Sequence, residues 1–200
     1  MTATILLIRH AAHAEVGAVL SGRRPGLALS PRGREQAERL ARRLAGWRID
    51  AVQTSPVERA RQTAEAIGGT IEDVAALDEV DFGDWAGMRF AALEPDPLWH
   101  RWNTARAVAE APGGETMRAV QDRVWAHCEQ AARAGAGRTL AMVSHCDVIR
   151  AAIARALDLS LDRILSFDVA PASISCLELG DWGARVVSVN DTAHLEDRAA

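Results

Sequence analysis

The sequence predicts an α/β domain of three layers, with helices packed on both faces of a mostly parallel sheet. Two continuous apolar runs, Thr4 to Ile8 and Thr139 to Val143, are too short for buried helices and suit strands covered on both faces. Other stretches carry apolar residues on one helical face only. The two patterns alternate along 200 residues, a length that suits one domain with a full hydrophobic core.

After the first strand, a Gly/Arg/Pro loop runs from Gly17 to Gly26. Ser30-Pro31 then opens a helix, serine as N-cap and proline at the first helical position, with Ala37, Leu40, Ala41 and Leu44 as its apolar stripe. Asp50 to Thr54 reads as a second strand. Ser55-Pro56-Val57-Glu58 has the form of a capping box, and Val57, Ala60, Ala64 and Ile67 give the next buried stripe. The stretch from Leu77 to Gly114 lacks one period and holds Trp85, Trp99 and Trp102 among three prolines. It reads as short helices and loops forming a cap-like segment, at about 77–115, of a single domain covering 1–200. Thr116 to Ala134 is an amphipathic helix, and the strand ending at Val143 leads through Ser144-His145 into a helix from about Asp147. Ile174 to Leu179 and Ala184 to Val189 are terminal strands around the Gly180-to-Gly183 turn. There are no repeats, low-complexity tracts or linkers.

Composition removes several function classes. The net charge of −4 gives no electrostatic footprint for nucleic acid. No apolar run approaches the ~20 residues of a membrane helix, and the first strand is too short for a signal peptide. Cys128, Cys146 and Cys176 form neither a disulfide framework nor a zinc knuckle, so a reducing cytoplasm is the simplest compartment. All 23 basic residues are arginine. Without lysine there is neither a Walker-type phosphate-loop lysine nor a Schiff-base nucleophile, and any phosphate must be gripped by arginine, histidine or backbone N–H groups.

Ligands of open α/β sheets bind beyond the carboxyl ends of the strands. Those ends deliver Arg9-His10, then Ser55 with Arg59 in the first turn of the next helix, then Ser144-His145. Each alone is weak: an Arg-His dipeptide arises by chance roughly 0.7 times in this composition. A lone histidine after a strand is more often structural than catalytic, and Arg59 alone reads as a solvated helix residue. Their joint placement on one sheet edge is the signal, provided the three strands run parallel.

Leu7-Ile8-Arg9-His10 resembles the opening motif of the histidine phosphatase superfamily, the phosphoglycerate mutase-like proteins. The resemblance continues through Gly33-Arg34-Glu35-Gln36-Ala37 and the block Ser55 to Ala64, which contains Arg59-Ala60-Arg61-Gln62-Thr63-Ala64. It runs on through Glu79 to Trp85, Pro112-Gly113-Gly114-Glu115, Val143-Ser144-His145, Ala172 to Ser175 and Asn190-Asp191-Thr192, in family order. It implies a mostly parallel six-stranded sheet and a metal-independent phosphomonoesterase, without cofactor, that forms a phosphohistidine on His10. Arg9, Arg59 and His145 would surround the phosphoryl oxygens. Charge alone leaves Asp78, Glu79, Asp81 and Asp84 open as proton donor; the family register selects Glu79.

The implied substrate is a small phosphorylated molecule, and a homodimer is compatible with the sequence. Ser21-Gly22 resembles the family's substrate loop, and Arg24 would reach a second anionic group. Three positions depart from the pattern: Ala11 for glycine, His13 for a hydroxyl residue, and Val16 for asparagine. His13 reads either as a phosphate contact or as a surface histidine. Cys146, where glycine is usual, reads as a small buried filler rather than a reactive thiol, and His194 could approach the pocket. His100 and His127 look like ordinary helix residues. The alternatives within the family are a phosphomutase, disfavoured by the short stretch from Leu93 to Glu115, and a protein-phosphohistidine phosphatase. Outside its enzymes stand a non-catalytic phospho-ligand module and a metal-dependent hydrolase on His10, His13 and His145, for which no ligand spacing speaks.

Overall fold

Side chains alternate along a strand, and this sends the residues of Ala3–Arg9 (β1) into two separate cores. Ile5 and Leu7 pack into one hydrophobic cluster, Leu6 and Ile8 into the other, and all four are buried. Each contributes about 1.5–3 kcal/mol of burial free energy, which is why the run shows no polar alternation. The computed structural model describes residues 2–196.

The chain continues through α1 (Pro31–Leu44), β2 (Ala51–Thr54), α2 (Glu58–Ile67) and β3 (Ile71–Asp73). After two short 3-10 turns come α3 (Phe90–Leu93), α4 (Pro97–Thr104), α5 (Met117–Ala134), β4 (Thr139–Ser144) and α6 (Cys146–Ala156). The hairpin β5 (Ile174–Gly180) and β6 (Gly183–Asp191) follows. The six strands lie in the order β3-β2-β4-β1-β5-β6. β1, β2, β3 and β4 are parallel, β5 runs antiparallel to β1, and β6 antiparallel to β5. Helices α1 and α2 cover the face of Leu6 and Ile8, and α5 and α6 cover that of Ile5 and Leu7. This is the expected mostly parallel α/β/α architecture. Among the described residues no helix is long and apolar enough to cross a membrane.

Ser30 caps α1 as its sequence predicts, its Oγ accepting from the Gly33 amide at 3.0 Å. Gly33 is glycine for a steric reason: a Cβ there would collide with the Ala12 carbonyl oxygen. The helix therefore presses directly on the loop that leaves β1.

Two expectations need correction. The capping box at Ser55 does not form: α2 begins at Glu58 with Val57 as N-cap and no side-chain cap bond. The Ser55 hydroxyl accepts from the Val57 amide, but its donor bond goes to Asp78. The sixth strand, β3, has no counterpart in the sequence pattern. It is one half-buried and two exposed residues at the sheet edge, held by parallel pairing of Val52 to Thr54 with Ile71 to Asp73.

The segment between β3 and α5 wraps over the carboxyl end of the sheet. Its aromatic rings lock together edge to face, Trp85 against Trp99 at 5.3 Å and against Trp102 at 6.0 Å, with Phe82 against Trp102 at 5.9 Å.

Candidate active site

The parallel pairing of β1, β4 and β2 carries Arg9-His10, Ser144-His145 and Ser55 to one edge of the sheet. His10 follows the last residue of β1, and its amide donates to the Ser144 carbonyl at 2.9 Å. Its ring is almost wholly buried, 5.1 Å from that of His145 between centroids. Nδ1 of His10 lies 2.8 Å from the Ala11 carbonyl oxygen, which can only accept, so Nδ1 carries the proton. Nε2 is left with its lone pair. Burial, reinforced by Arg59 and Arg9, holds the imidazole well below its ordinary pKa, so it stays neutral and nucleophilic.

Arg59, buried in the first turn of α2, spans the hollow. Its Nε donates to His10 Nε2 at 3.2 Å and its Nη2 to the Gly22 carbonyl at 2.9 Å. Nη2 also lies 3.2 Å from His145 Nδ1. Nη1 is buried and has no hydrogen-bond partner, and the same is true of Nε of Arg9, whose Nη1 is spent on the Val169 carbonyl. A buried guanidinium N–H without an acceptor is costly, and two such arginines lining one cavity with a neutral histidine suit an anionic ligand.

His145 is the N-cap of α6. Its Nε2 stands 2.8 Å from Ser55 Oγ, which donates to Asp78 Oδ1 at 3.1 Å and so accepts from the ring. The Asp78–Ser55–His145 chain thereby fixes the tautomer, leaving Nδ1 as the acceptor towards Arg59. Glu79 completes the group: its Oε2 is 3.4 Å from His145 Nδ1 and 3.7 Å from Arg59 Nη2. Burial pushes the Glu79 carboxyl up to about 7; Arg59 pulls the other way and Asp147 adds to the rise. A carboxyl with that pKa can hold a proton or accept one near neutrality.

The backbone from Leu77 to Glu79 is clamped by three side chains. The Ser144 hydroxyl donates to the Leu77 carbonyl at 2.7 Å. Arg23 Nε and Arg123 Nη2 both donate to the Glu79 carbonyl, at 2.7 and 3.1 Å. Both arginines also bind Glu115, whose carboxylate accepts from the Asp81 amide. Gly83, at φ +50°, lies so close to the Pro112 carbonyl that a Cβ would collide with it, and this packs the Pro112–Glu115 block against the acid segment. Sequence reasoning missed Arg123 and Arg23; Asp78 stood only among the four candidate proton donors, not as the partner of Ser55, and Glu115 was visible only as a motif residue.

His10, Arg9, Arg59 and Glu79 line one cavity of about 410 Å³, together with His13, Ser21 and Gly22; His145 is buried behind Arg59. His13 is buried rather than at the surface, its ring 5.5 Å from that of His10. Burial, with Arg59, lowers its pKa to about 4. The single hydroxyl proton of Ser21 is shared between Glu15 Oε2 and the Val19 carbonyl, at 3.3 and 3.4 Å. Arg24 does not line the cavity, because Glu15 Oε2 captures its guanidinium at 3.1 Å. His194 is also outside, bonded to the Ala172 carbonyl. Cys146 does line the cavity, but burial pushes its thiol up to about 11, so it is protonated. His100 is exposed on α4, and His127 on α5 meets Gln53.

The chain matches the family model described as histidine phosphatase superfamily, branch 1, over residues 5–192. It is 31% identical to phosphoserine phosphatase 1 of Hydrogenobacter thermophilus, with 96% of this chain and 93% of that protein covered. It is 27% identical to the adenosylcobalamin/alpha-ribazole phosphatase of Escherichia coli, over 94% of this chain and 95% of the relative. Among solved structures, Bacillus stearothermophilus YhfR superposes with a TM-score of 0.90 at 27% identity, covering 97% of this chain and 100% of the other.

Proposed function

The chain belongs to branch 1 of the histidine phosphatase superfamily, and from that premise we propose that it is a metal-independent phosphomonoesterase that forms a phosphohistidine on His10. The observation that carries this reading is the orientation of His10: Nδ1–H is tied to a carbonyl, Nε2 accepts from Arg59, and Arg59 and Arg9, which line the same cavity, each keep an N–H without a partner.

In the first half-reaction His10 Nε2 attacks phosphorus and the ester P–O bond breaks. Arg9 Nε and Arg59 Nη1 take the equatorial oxygens, where the charge of the transition state resides. The leaving alkoxide takes the proton of Glu79. In the second half-reaction a water attacks phosphorus, gives its proton to the Glu79 carboxylate, and the P–N bond breaks. Phosphate leaves, and Glu79 is again protonated. His145, held neutral in the free protein by burial and by Arg59, gains a compensating negative neighbour when a phosphate dianion arrives.

The substrates are small phosphorylated molecules of the kind for which the relatives are named, phosphoserine or an α-ribazole phosphate. The size of the cavity and the aromatic wall of Phe82, Phe90 and Trp99 support a small-molecule ester. Three cysteines without a disulfide among them support a reducing, cytoplasmic compartment.

The test is to trap the intermediate. Protein quenched during turnover of a radiolabelled ester should carry an acid-labile, base-stable phosphate on His10, and chelator should leave turnover unchanged. Label stable to acid, or none with active enzyme, defeats the reading. With 3-phosphoglycerate, fast isomerisation and negligible free phosphate would make the protein a mutase.

A further inference from the structure

Beyond the His10–Arg59 end, the same cavity is lined by a second charged group: Arg106, Asp147 and Arg150, with Asn103. Arg106 is buried. Its Nη1 donates to Asp147 Oδ2 at 2.7 Å, its Nη2 to Asn103 Oδ1 at 2.9 Å, and its Nε is buried without a partner. Arg150 donates from Nη1 to Asp147 Oδ1 at 3.4 Å and from Nε to the Phe167 carbonyl at 3.2 Å. Its other carboxylate neighbour, Asp168, is 3.7 Å away and exposed. Two guanidiniums thus share one buried carboxylate, Arg150 has a second and exposed carboxylate partner in Asp168, and Arg106 keeps a buried N–H with no acceptor.

A buried guanidinium N–H without an acceptor is costly unless a ligand meets it. The phosphoryl group cannot, because its charge falls to Arg9 and Arg59. Asp147 and Arg150 lie in the first two turns of α6, whose N-cap is His145. At about 1.5 Å per residue the cluster begins roughly 3–8 Å along the axis from His145. A second anionic group would therefore sit only a few bonds from phosphorus. Phe82, Phe90 and Trp99 wall the space between with apolar surface.

We propose that Arg106, supported by Arg150 and Asn103, forms a carboxylate-binding subsite, so that the enzyme selects short phosphate monoesters bearing a carboxylate. The inference rests on the reading that the phosphoryl group sits at His10. Arg106 is held in place by Asp147 and Asn103 on its two Nη atoms, and its unpartnered Nε–H suits a carboxylate oxygen. Neutral alcohol phosphates of the same length leave that N–H unmet.

The experiment compares kcat/KM within two matched pairs, O-phosphoserine against O-phosphoethanolamine and 3-phosphoglycerate against glycerol 3-phosphate. Wild-type protein should prefer the carboxylate member of both pairs by about tenfold or more. Arg106→Gln should reduce that preference to about threefold or less, through KM. Should this variant fail to fold, Arg150→Gln, which keeps the Arg106–Asp147 pair, should still lower the preference measurably. No preference in wild-type protein, or a full preference in either folded variant, overturns the subsite. Hydrolysis of p-nitrophenyl phosphate separates the two levels: activity without a carboxylate preference sinks the subsite alone, whereas no hydrolysis of any ester sinks the phosphatase reading itself.

Discussion

Nε of Arg59 donates to Nε2 of His10 at 3.2 Å, on the lone pair that must attack phosphorus. The bond keeps the imidazole aimed into the hollow while the site is free of ligand. It has to give way when phosphate enters, and the unpartnered Nη1 of Arg59 is the group poised to meet the incoming oxygens.

Arg59 therefore serves several acceptors at once: His10, the Gly22 carbonyl and the transferred phosphoryl group. Arg59→Ala should lower kcat/KM about 10²–10³-fold, the range for removing one donor from a transition-state anion. Arg59→Lys should recover little of it, because a single ammonium cannot span these directions. Steady-state kinetics on one aryl and one alkyl phosphate checks this, and a lysine variant within tenfold of wild type would contradict it.

Glu79 sets the alkaline limb of the pH profile. Burial pushes its carboxyl up to about 7, so the proton-donating form dominates below that value and is lost above it. For alkyl phosphates, kcat/KM should fall as pH rises through about 7, and Glu79→Gln should remove this limb along with about 10²–10⁴-fold of rate. Aryl phosphates, whose leaving groups need little protonation, should lose far less. Equal losses for both ester types would refute the acid role.

Much of this was legible because the signals are local. β1 and β4 announce themselves as unbroken apolar runs, and His10 and His145 follow their last residues directly. The register of the family resemblance then selected Glu79 among four neighbouring carboxylates. What was not legible is non-local. β3 exists through its pairing with β2 and carries no pattern of its own. Ser55 looked like a helix cap until Asp78 and His145 competed for its hydroxyl. Arg24 looked available for substrate until Glu15 turned out to hold it.

The three buried histidines make folding stability acid-sensitive. His10, His13 and His145 all have pKa values lowered in the folded protein, first by burial, and His13 reaches about 4. The unfolded chain takes up their protons near 6.5 and so binds more protons than the native state below that pH. The stability they contribute is complete above about 6.5 and is lost as pH falls towards 4, by up to about 1.4 kcal/mol per pH unit for each proton. Glu79 works with the opposite sign: its raised pKa contributes stability that is complete below its unfolded value and lost as pH rises through about 7. His127 and His194 are lowered in the same direction, first by burial, so five groups against one should leave the urea midpoint falling between pH 6.5 and 4.5. The fall should be shallower in a His13→Gln variant, and a midpoint rising across that window would contradict the assignment.

Arg123 touches none of the reacting atoms, yet it should control the acid. From α5 it donates to the Ala76 carbonyl at 2.8 Å and the Glu79 carbonyl at 3.1 Å, and to Glu115 Oε1 at 3.1 Å. It thus ties the backbone on both sides of the acid segment to one rigid helix, which makes it a positioning residue. Loosening that backbone lets the Glu79 carboxyl move relative to His145 and Arg59, and displacements of about 1 Å cost on the order of 10²-fold in well-aligned reactions. Arg123→Ala should therefore cut kcat for alkyl phosphates about 10–100-fold with KM little changed, spare aryl phosphates, and shift the limb near pH 7. Arg123→Lys should rescue part of the loss, since an ammonium can still reach one of the two carbonyls. A purely structural role would lower the unfolding temperature and depress both ester types alike. A uniform loss of that kind, with the pH limb unmoved, would show that Arg123 holds the fold and not the acid.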